Sequence, residues 1–470
     1  MINLKKEQVF DWIQKIVGSV LILSYLLALY AVIRINLIPV KYLLFIVPIT
    51  AIVVGALAYT HLKKKLSLGK KIAVTVLSLL TIIVSVYVFL AGNATLSFLN
   101  GLQETGDSYE QYSIIAKKDN RITLGTNKTT GLISTDTNTD AVKTEVDKLS
   151  KTTYKSYGEL ASTTVALGNK DITTAAVKTS YVDLLQDNNP TFYSGIETLA
   201  TFKVKVKKAA DTTQADTAKP FVMYISGIDT YGDISTVSRS DVNILVVVNP
   251  VTHKILLVNT PRDYYVQLHG TTGSKDKLTH AGIYGVSMSE STLEDLYGVK
   301  IDYYMRVNFA SLMNIVDALG GVNVYSDYAF TAGGYSDTTG YQQTDGQKAL
   351  AFSRERHAFE DGDRQRGKDQ QRVIEAIIRK LSSPETLVNY QKILTSVNGA
   401  FQTNASTDTI TSLMQQQMNS LRAWQTESIS VDGIGATAAT YSMGDLPLYV
   451  MIPDEASVAT AKLRIQQNQQ

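Results

Sequence analysis

Three long apolar runs occupy the first part of the chain, at about residues 16–33, 42–59 and 72–91. Each is close to the ~20 residues that a helix needs to cross the hydrocarbon core of a bilayer. Buried core helices of a soluble protein are the alternative, and three runs of this length disfavour it. The pattern therefore predicts three transmembrane helices within residues 1–97.

Basic residues flank these runs unequally. The loop between the second and third runs contains five lysines, whereas the loop between the first and second contains only Arg34 and Lys41. The positive-inside rule places the lysine-rich loop and the N-terminus in the cytoplasm, so everything after Ala91 is predicted to lie outside. The runs contain no acidic residue, which indicates an anchor and disfavours an ion pathway.

Residues 98–218 are rich in Thr, Lys, Asp and Ser, with only short amphipathic stretches. The stretch 140–149 has the spacing of a helix with Ala141, Val146 and Leu149 as its apolar positions, and 202–206 alternates as a strand does. We expect a small α+β accessory domain without catalytic residues, followed by a linker at 207–219.

The pattern changes at residue 219 and predicts a second, larger domain that extends to residue 470. A nearly continuous apolar run at 221–228 suits a buried strand, and two further apolar runs flank Asn249-Pro250-Val251-Thr252-His253, a hairpin signal. Strands and helices then alternate irregularly, with helices expected at 309–319, 347–352 and 364–381. This order predicts an α/β mixed domain in which helices cover both faces of a mixed sheet.

Composition removes several kinds of chemistry. The 470-residue chain has no cysteine, which excludes disulfides, thiolate metal sites and cysteine nucleophiles. The net charge of +2 gives no support for nucleic acid as a partner. The five histidines include no metal-spaced pair, and neither a G-x-S-x-G elbow nor a Walker-type phosphate loop is present.

Acidic and basic side chains cluster beside the apolar runs of the larger domain. Asp229 ends the first run and Asp241 precedes the next. Mg²⁺ usually takes one or two protein carboxylates and completes its shell with water and phosphate oxygens. Asp229 and Asp241 are therefore candidate ligands for Mg²⁺ (or Mn²⁺), against the alternative that each is a turn or cap residue.

Arginines occupy similar positions. Arg239 and Arg262 adjoin predicted strands, and Arg354 and Arg356, two residues apart, would share one face with Phe352 on an extended segment. Two guanidiniums ~4 Å apart repel by roughly 4 kcal/mol at an effective dielectric near 20, so an empty site would be costly. The pattern predicts a bound polyanion, with surface ion pairs as the alternative.

The predicted helix at 364–381 continues this theme. Asp363, Arg366 and Gln370 follow the spacing of one helical stripe, which then becomes apolar at Val373, Ile374 and Ile377. A polar N-terminal end favours anions, and the apolar end would suit an isoprenoid tail. The alternative is that these apolar residues pack in the core.

In order and spacing, these clusters resemble the LytR-CpsA-Psr family of bacterial cell-envelope proteins. The resemblance covers residues 220–381 and rests on the blocks 227–229, 239–241, 261–263, 302–304, 319–322, 354–356, 363–366 and 370–371. The three-span anchor and the Thr-rich module resemble those of the capsule-attachment members. The segment 276–282 departs from the family's Lys-Ile-Asn-x-Ala pattern, so Lys275 and Lys277 receive no role.

The resemblance implies a multi-pass protein of the bacterial cell membrane with an extracellular catalytic domain that has αβα layers. Such a protein is a phosphotransferase that moves a capsule-type polysaccharide from a polyprenyl-pyrophosphate carrier to peptidoglycan, alongside other capsule-synthesis proteins. A hydrolase acting on the same carrier and a non-catalytic membrane regulator remain the alternatives.

The family's site residues carry over onto matching positions. The resemblance implies that Asp229 and Asp241 hold the metal ion and that Arg262, Arg366 and Asp363 take part in catalysis. Asp363 is the candidate general base, a role that the resemblance itself does not assign. It also implies a set of residues that bind the pyrophosphate: Arg239, Arg262, Arg354, Arg356, Arg366 and Gln370. Phosphoryl transfer depends mainly on neutralising charge and aligning the reactants, which such a set can supply.

Overall fold

A computed structural model of the chain describes residues 2–63, 67–102, 108–125, 128–206, 216–228, 234, 237–383, 386, 393, 396–397 and 399–470. Its contacts form two compact units. The first comprises residues 1–102, 382–398 and 406–422, and the second comprises residues 103–381, 399–405 and 423–470. Each unit has its own packing.

The first unit is built on three long helices, α1 (Ile2–Ile35), α2 (Val40–Leu62) and α3 (Leu68–Leu102). The segments Asp11–Ile35, Val40–Leu62 and Leu68–Asn100 are long and apolar enough to cross a membrane. The prediction of three long apolar helices is confirmed. Many large apolar side chains on them are exposed, among them Phe45, Ile52 and Ile83, as expected of surfaces that face lipid.

Polar side chains join these helices to each other. His61 on α2 contacts Ser78 on α3 at 2.9 Å and Gln14 on α1 at 2.5 Å, and the Gln14 amide donates to Thr75 at 2.9 Å. Hydrogen bonds between spans replace the hydrophobic driving force that is missing in lipid. The anchor is therefore a packed three-helix bundle.

The accessory part of the second unit, residues 108–206, has a five-stranded sheet in the order β3-β2-β4-β1-β5. Its elements are β1 (Ser108–Lys117), β2 (Lys128–Ile133), α4 (Thr139–Leu149), β3 (Thr152–Tyr157), α5 (Leu160–Gly168), β4 (Thr174–Lys178), α6 (Thr179–Asn188), α7 (Pro190–Ser194) and β5 (Ile196–Val206).

The expected α+β character of this part is confirmed, but two details differ. In α4 the buried positions are Val142 and Val146, whereas Ala141 and Leu149 are exposed. The sheet lies on the Val142 side of the helix, and the larger valine buries more apolar surface than Ala141 would. Residues 207–215 of the predicted linker at 207–219 lie outside the described residues.

The remaining part of the second unit contains the larger domain. Its first half comprises β6 (Phe221–Ile228), β7 (Ser240–Asn249), β8 (Lys254–Asn259), β9 (Tyr265–Val266), β10 (Asp276–Lys277), α8 (Leu278–Ala281), α9 (Val286–Tyr297), β11 (Tyr303–Val307), α10 (Phe309–Ala318), β12 (Val322–Ser326), β13 (Phe330–Ala332), β14 (Tyr335–Asp337) and β15 (Gly340–Thr344).

Its second half comprises α11 (Gly346–Arg354), α12 (Asp363–Leu381), β16 (Phe401–Thr403), β17 (Gln425–Ser430), β18 (Gly433–Thr440), β19 (Gly444–Pro453) and α14 (Glu455–Gln469), while α13 (Thr407–Ser420) belongs to the first unit. The central sheet has the order β16-β11-β6-β7-β8-β17. Its middle strands β6, β7 and β8 are antiparallel, and β11 and β17 add to them in parallel. The predicted mixed sheet is confirmed.

Both faces of this sheet are apolar. Successive side chains of a strand point to opposite faces, and the central strands β6, β7 and β8 are buried at most successive positions. Val222, Leu245 and Leu256 pack with Leu293 of α9 and Val458 of α14 on one face. On the other face α12 lies against β8 and β17, where the Gln371 amide donates to the carbonyls of Leu257 and Ile429 at 3.2 and 2.8 Å. The αβα layering expected from the family resemblance is confirmed.

Gly227 allows β6 and β7 to approach closely near the end of the sheet. It pairs with Val242, and a Cβ on residue 227 would lie 2.6 Å from the Val242 Cβ. Immediately beyond this pair the register shifts, since Ile228 pairs with Ser240 and leaves Asp241 as the extra residue of a β-bulge. The glycine therefore allows the Gly227–Val242 pair, which lies directly beside Asp241, to form.

We predict that Gly227→Ala lowers the free energy of unfolding by roughly 1–3 kcal/mol, the usual cost of overpacking. Thermal unfolding of the full-length protein in detergent measures the change. Gly158→Ala is the matched control, because a Cβ there has no described atom within 4 Å. Adding Val242→Ala to Gly227→Ala should recover most of the loss; equal melting temperatures for the two alanine variants would contradict the close approach.

Candidate active site

A cluster of charged side chains lies where β7 begins and β8 ends. These strands are antiparallel neighbours with Ile244 opposite Asn259, so Asp241 and Arg262 come to the same end of the sheet. Arg262 Nη1 lies 2.9 Å from Asp241 Oδ2. Its Nε lies 3.5 Å from Asp363 Oδ2 and 3.6 Å from Asp263 Oδ2. One guanidinium thus lies among three carboxylates.

The N-terminus of α12 adds more arginines to this cluster. Arg366 Nη2 lies 3.3 Å from Asp363 Oδ2, one turn along the same helix, and Arg356 Nη1 lies 3.9 Å from Asp363 Oδ1. The carboxylate of Asp363 therefore lies between the guanidiniums of Arg262, Arg356 and Arg366. A carboxylate in the first turn is also favoured by the helix dipole.

Burial and neighbouring charges shift the protonation equilibria of this cluster. Burial acts to raise the pKa of Asp241, but the positive charges of Arg262 and Arg239 outweigh it, so the pKa is lowered and the carboxylate stays ionised. Burial lowers the pKa of Arg366, and the like charges of Arg262 and Arg356 act in the same direction against the attraction of Asp363. In contrast, nearby carboxylates raise the pKa of Arg262 despite its burial.

Two residues that the sequence did not single out complete the cluster. Lys277 Nζ lies 2.9 Å from Asp263 Oδ1, and the Thr279 hydroxyl donates to Asp241 Oδ1 at 2.9 Å. Their sequence signal was weak: this segment departs from the family pattern, and only the pairing of β10 with β9 brings it to the site. The described cluster has five cationic side chains and three carboxylates, and so carries an excess of positive charge.

The structure does not place Arg354 and Arg356 on one extended face with Phe352, so that prediction is wrong. The Asp345 carboxylate accepts from Lys348 N at 2.8 Å and starts α11, which continues through Arg354. Phe352 is buried in the core, and the Arg354 guanidinium lies 4.1 Å from the ring centroid of Phe309, a cation–π geometry. Only Arg356 follows the helix and contacts Asp363.

The other predicted residues fall in different surroundings. The Gln370 amide donates to the Ser353 carbonyl at 3.3 Å, next to the end of α11. Asp229 lies outside the described residues. Within the described ranges, no group of three or more His, Cys, Asp or Glu side chains is arranged to hold a metal ion. Asp241, ionised and half-buried, is thus the described carboxylate of the predicted pair.

The apolar residues of the predicted stripe on α12 are only partly buried in the core. Val373 is fully buried, as the alternative expected, whereas Ile374 and Ile377 are half-buried. The face that packs on the sheet instead carries buried polar side chains, among them Gln371 and Asp369. Asp363, Arg366 and Gln370 are half-buried on the stripe, so this side of the helix keeps partial access to solvent.

More than half of the chain, residues 191–455, matches the family model described as the LytR_cpsA_psr family. The chain belongs to the LytR_cpsA_psr family. The resemblance that the charged blocks indicated is confirmed. Family membership, together with the three apolar helices, indicates a membrane-anchored protein with an extracellular domain.

Several named proteins are similar to this member of the LytR_cpsA_psr family. The polyisoprenyl-teichoic acid–peptidoglycan teichoic acid transferase TagU of Enterococcus faecalis is 36% identical over 211 residues, which are 44% of this chain and 69% of the relative. TagU of Bacillus mycoides is 34% identical over 280 residues, 58% of this chain and 89% of the relative. The crystal structure of B. subtilis TagV aligns with a TM-score of 0.46 at 25% identity, covering 54% of this chain and 98% of TagV.

Asp369 on α12 is a buried carboxylic acid with incomplete hydrogen bonding. Its Oδ1 accepts from the Gln365 amide at 2.9 Å, while Oδ2 has no hydrogen-bond partner among the described residues. Burial raises the pKa of Asp369 to about 7, and the negative charge of Asp327 acts in the same direction. The folded protein thus holds this proton at pH values where an unfolded chain, with an aspartate pKa of about 3.9, does not.

This difference makes stability depend on pH. Between about pH 4 and pH 7 the folded state binds more protons at Asp369 than the unfolded state does. The contribution of Asp369 to the free energy of unfolding is therefore full below about pH 4 and is lost as pH rises through about 7. We predict that Asp369→Asn, which keeps the shape without titrating, flattens the decline of the melting temperature from about pH 5 to about pH 8. Asp140→Asn, at an exposed site, is the control; parallel profiles for Asp369→Asn and wild type would contradict the assignment.

Proposed function

We propose that this protein is an extracytoplasmic glycopolymer transferase, which moves a polysaccharide from a polyprenyl-pyrophosphate carrier to peptidoglycan. The observation that supports it best is the Nε–H of Arg262, a buried donor without a hydrogen-bond acceptor among the described residues. Leaving a buried donor unpaired costs about 1–3 kcal/mol, and more for a charged group. A phosphate oxygen bound beside Arg262 would add an acceptor to the two carboxylate oxygens that lie 3.5 and 3.6 Å from this Nε.

The charge of the cluster suits the same ligand. Asp241, Asp263 and Asp363 leave the cations of the described cluster incompletely neutralised. The charges of Arg262, Arg239 and Arg366 act on Asp241, and those of Arg262 and Arg356 act on Arg366, which supports a pyrophosphate site among these four arginines. Arginine forks bind phosphate oxygens through two parallel hydrogen bonds, which fixes orientation as well as charge.

The donor set also fits a divalent cation. Asp241 is ionised and half-buried, and Mg²⁺ needs only one or two protein carboxylates when phosphate oxygens complete its shell. We assign Asp241, with Asp229, to hold Mg²⁺ (or Mn²⁺), which when bound neutralises charge on the pyrophosphate. The names of the TagU relatives, transferases from a polyisoprenyl carrier to peptidoglycan, support the same reaction class.

The reaction that we propose is a single displacement at phosphorus. A peptidoglycan hydroxyl attacks the phosphorus that bears the glycopolymer, the bridging P–O bond breaks, and polyprenyl phosphate leaves with the bonding electron pair. Arg262 and Arg366 hold the phosphate oxygens in line, and Asp363, which contacts both guanidiniums, accepts the hydroxyl proton. The energy comes from the carrier's own pyrophosphate bond.

The lipid part of the carrier has a matching surface on α12. Beyond Gln370 the helix presents Ile374, Ile377 and Ile378, all half-buried, and ends near the exposed Leu381. An isoprenoid chain on these residues would remove apolar surface from water at roughly 25 cal/mol per Å². The charged head then lies at the N-terminus of the same helix, where anions are favoured.

The anchor places this site on the outer side of the membrane in our proposal. Three spans, with the lysine-rich loop between α2 and α3 in the cytoplasm, put the C-terminal part of the chain outside. The resemblance of the three-span anchor and the accessory domain to capsule-attachment members makes a capsule-type polysaccharide the proposed cargo, with other capsule-synthesis proteins as partners.

We predict that Arg262→Ala and Arg366→Ala each reduce polymer attachment at least about a hundredfold, the usual effect of removing one group that stabilises a transition state. Attachment is measured as polysaccharide bound to purified peptidoglycan in cells that produce each variant. Lys368→Ala is the matched control, because Lys368 lies on the same helix with an exposed side chain. Wild-type attachment by both arginine variants would refute the site.

We also predict that the full-length protein co-purifies with a polyprenyl phosphate or pyrophosphate that mass spectrometry identifies. Arg262→Ala should carry much less of this lipid than Lys368→Ala, since it removes the guanidinium at the centre of the cluster. Wild-type protein without any such lipid would contradict the proposed carrier.

A product assay separates transfer from the two alternatives. With lipid-linked polymer labelled in the sugar, a transferase forms labelled peptidoglycan, whereas a carrier hydrolase releases soluble labelled polymer even without peptidoglycan. A non-catalytic regulator does neither. Release that competes with transfer would identify a pyrophosphatase side activity.

A further inference from the structure

One short segment, residues 276–284, touches the charged cluster through several backbone and side-chain contacts. It contains β10, α8 and a 3₁₀ turn at Gly282–Tyr284. Leu278 N donates to the Tyr264 carbonyl at 2.9 Å, and Thr279 N donates to the Arg262 carbonyl at 2.8 Å. The backbone of the 276–284 segment is thus bonded to the loop that carries Arg262.

Side chains of the 276–284 segment contact two carboxylates of the site. The Thr279 hydroxyl donates to Asp241 Oδ1, and Arg262 Nη1 donates to Asp241 Oδ2. Because both oxygens accept hydrogen bonds, the carboxylate is prevented from rotating. Lys277 Nζ bonds Asp263 Oδ1 at 2.9 Å. Each carboxylate oxygen has two lone pairs, so Asp241 keeps acceptor capacity for a cation.

Gly282 brings the segment against the backbone that carries Arg239. A Cβ on residue 282 would lie 2.6 Å from Ser240 N and 2.7 Å from the Ser238 carbonyl oxygen. No side chain fits there without a shift of backbone. The 276–284 segment therefore supports the start of β7, the strand end that carries Asp241.

The other end of the segment packs in the core of the accessory domain. Ile283 is fully buried with Leu184 and other apolar residues of that domain. Tyr284 meets Tyr181 of α6 edge to face, with ring centroids 6.2 Å apart, and its hydroxyl lies 3.0 Å from Ser442 Oγ.

A buried polar contact makes the 276–284 segment stiff between these two ends. Asp276 is fully buried, and its carboxylate accepts from His280 Nδ1 at 2.6 Å and from Ser442 N at 2.8 Å. A fully paired buried network has few alternative arrangements, so these hydrogen bonds hold the segment in one conformation between the site and the accessory core.

We propose that the 276–284 segment is the element through which the accessory domain positions the metal and phosphate site, with Thr279 as the positioning residue of Asp241. The inference rests on the proposed function, because that function assigns Asp241 to hold the cation. Residues that orient a metal ligand typically change metal affinity about 10–100-fold when they are removed.

The first experiment removes only the hydroxyl. In Thr279→Val the volume is kept, and Thr279→Ser restores the donor. Binding of Mn²⁺ to the full-length protein in detergent, measured by electron paramagnetic resonance without lipid, should weaken about 10–100-fold in Thr279→Val and recover in Thr279→Ser. Equal Mn²⁺ affinity of wild type and Thr279→Val would overturn the inference, as would a wild type that binds no Mn²⁺.

The second experiment tests the accessory end. Tyr181→Ala, 48 residues before the first site residue Asp229 in sequence, should also weaken Mn²⁺ binding, whereas Tyr154→Ala, in the separate apolar core on the other face of the accessory sheet, should not. If Tyr181→Ala does not fold, Tyr181→Phe, which removes only the hydroxyl that interacts with Tyr284, takes its place. Unchanged Mn²⁺ affinity in the folded variant would exclude the accessory domain from this role.

These measurements distinguish the inference from the proposed function. Loss of Mn²⁺ affinity in Thr279→Val, in a protein whose wild type neither transfers nor cleaves a lipid-linked polymer, would refute the function and support the positioning role. If the wild type transfers the polymer and Thr279→Val keeps full Mn²⁺ affinity, the proposed function is supported and the positioning role is refuted.

Discussion

The contact of the Arg262 guanidinium with three carboxylates is the constraint on which the site depends. Asp241 comes from the bulge at the start of β7, Asp263 from the same loop as Arg262, and Asp363 from the first turn of α12. A partly buried charge is stable only with partners, and removing one partner leaves the other uncompensated. The contact therefore fixes where the helix N-terminus lies relative to the sheet edge.

Topology explains why these groups meet. The antiparallel hairpin β7–β8 returns the chain to its starting end, so a residue before one strand and a residue after the next become neighbours. The bulge between Gly227 and Ile228 then aims Asp241 toward Arg262, out of the regular alternation of the strand. Helix α12 adds its N-terminal dipole to the same place.

Hydrophobic pattern predicted much of this fold, because strands such as β6 are buried along most of their length and helices such as α12 bury one face. It failed where local and tertiary effects compete. Alternation suggested an extended segment at Arg354, but α11, which begins at the Asp345 cap, continues through Arg354, whose guanidinium lies over the Phe309 ring. Charge clusters predicted Arg262 and Asp363, whereas Thr279 carries no charge and reaches Asp241 only through the pairing of distant segments.

The carboxylates of the cluster have a role before any substrate binds. Burial lowers the pKa of Arg366 and the like charge of Arg262 adds to this effect, while Asp363, which contacts both guanidiniums, offsets their repulsion. The arginines therefore keep their positions without an anion, while the excess positive charge still attracts one. A site arranged in advance avoids reorganisation when charge develops during the reaction, which is the main source of electrostatic catalysis. In this chain the fixed carboxylates make that arrangement stable.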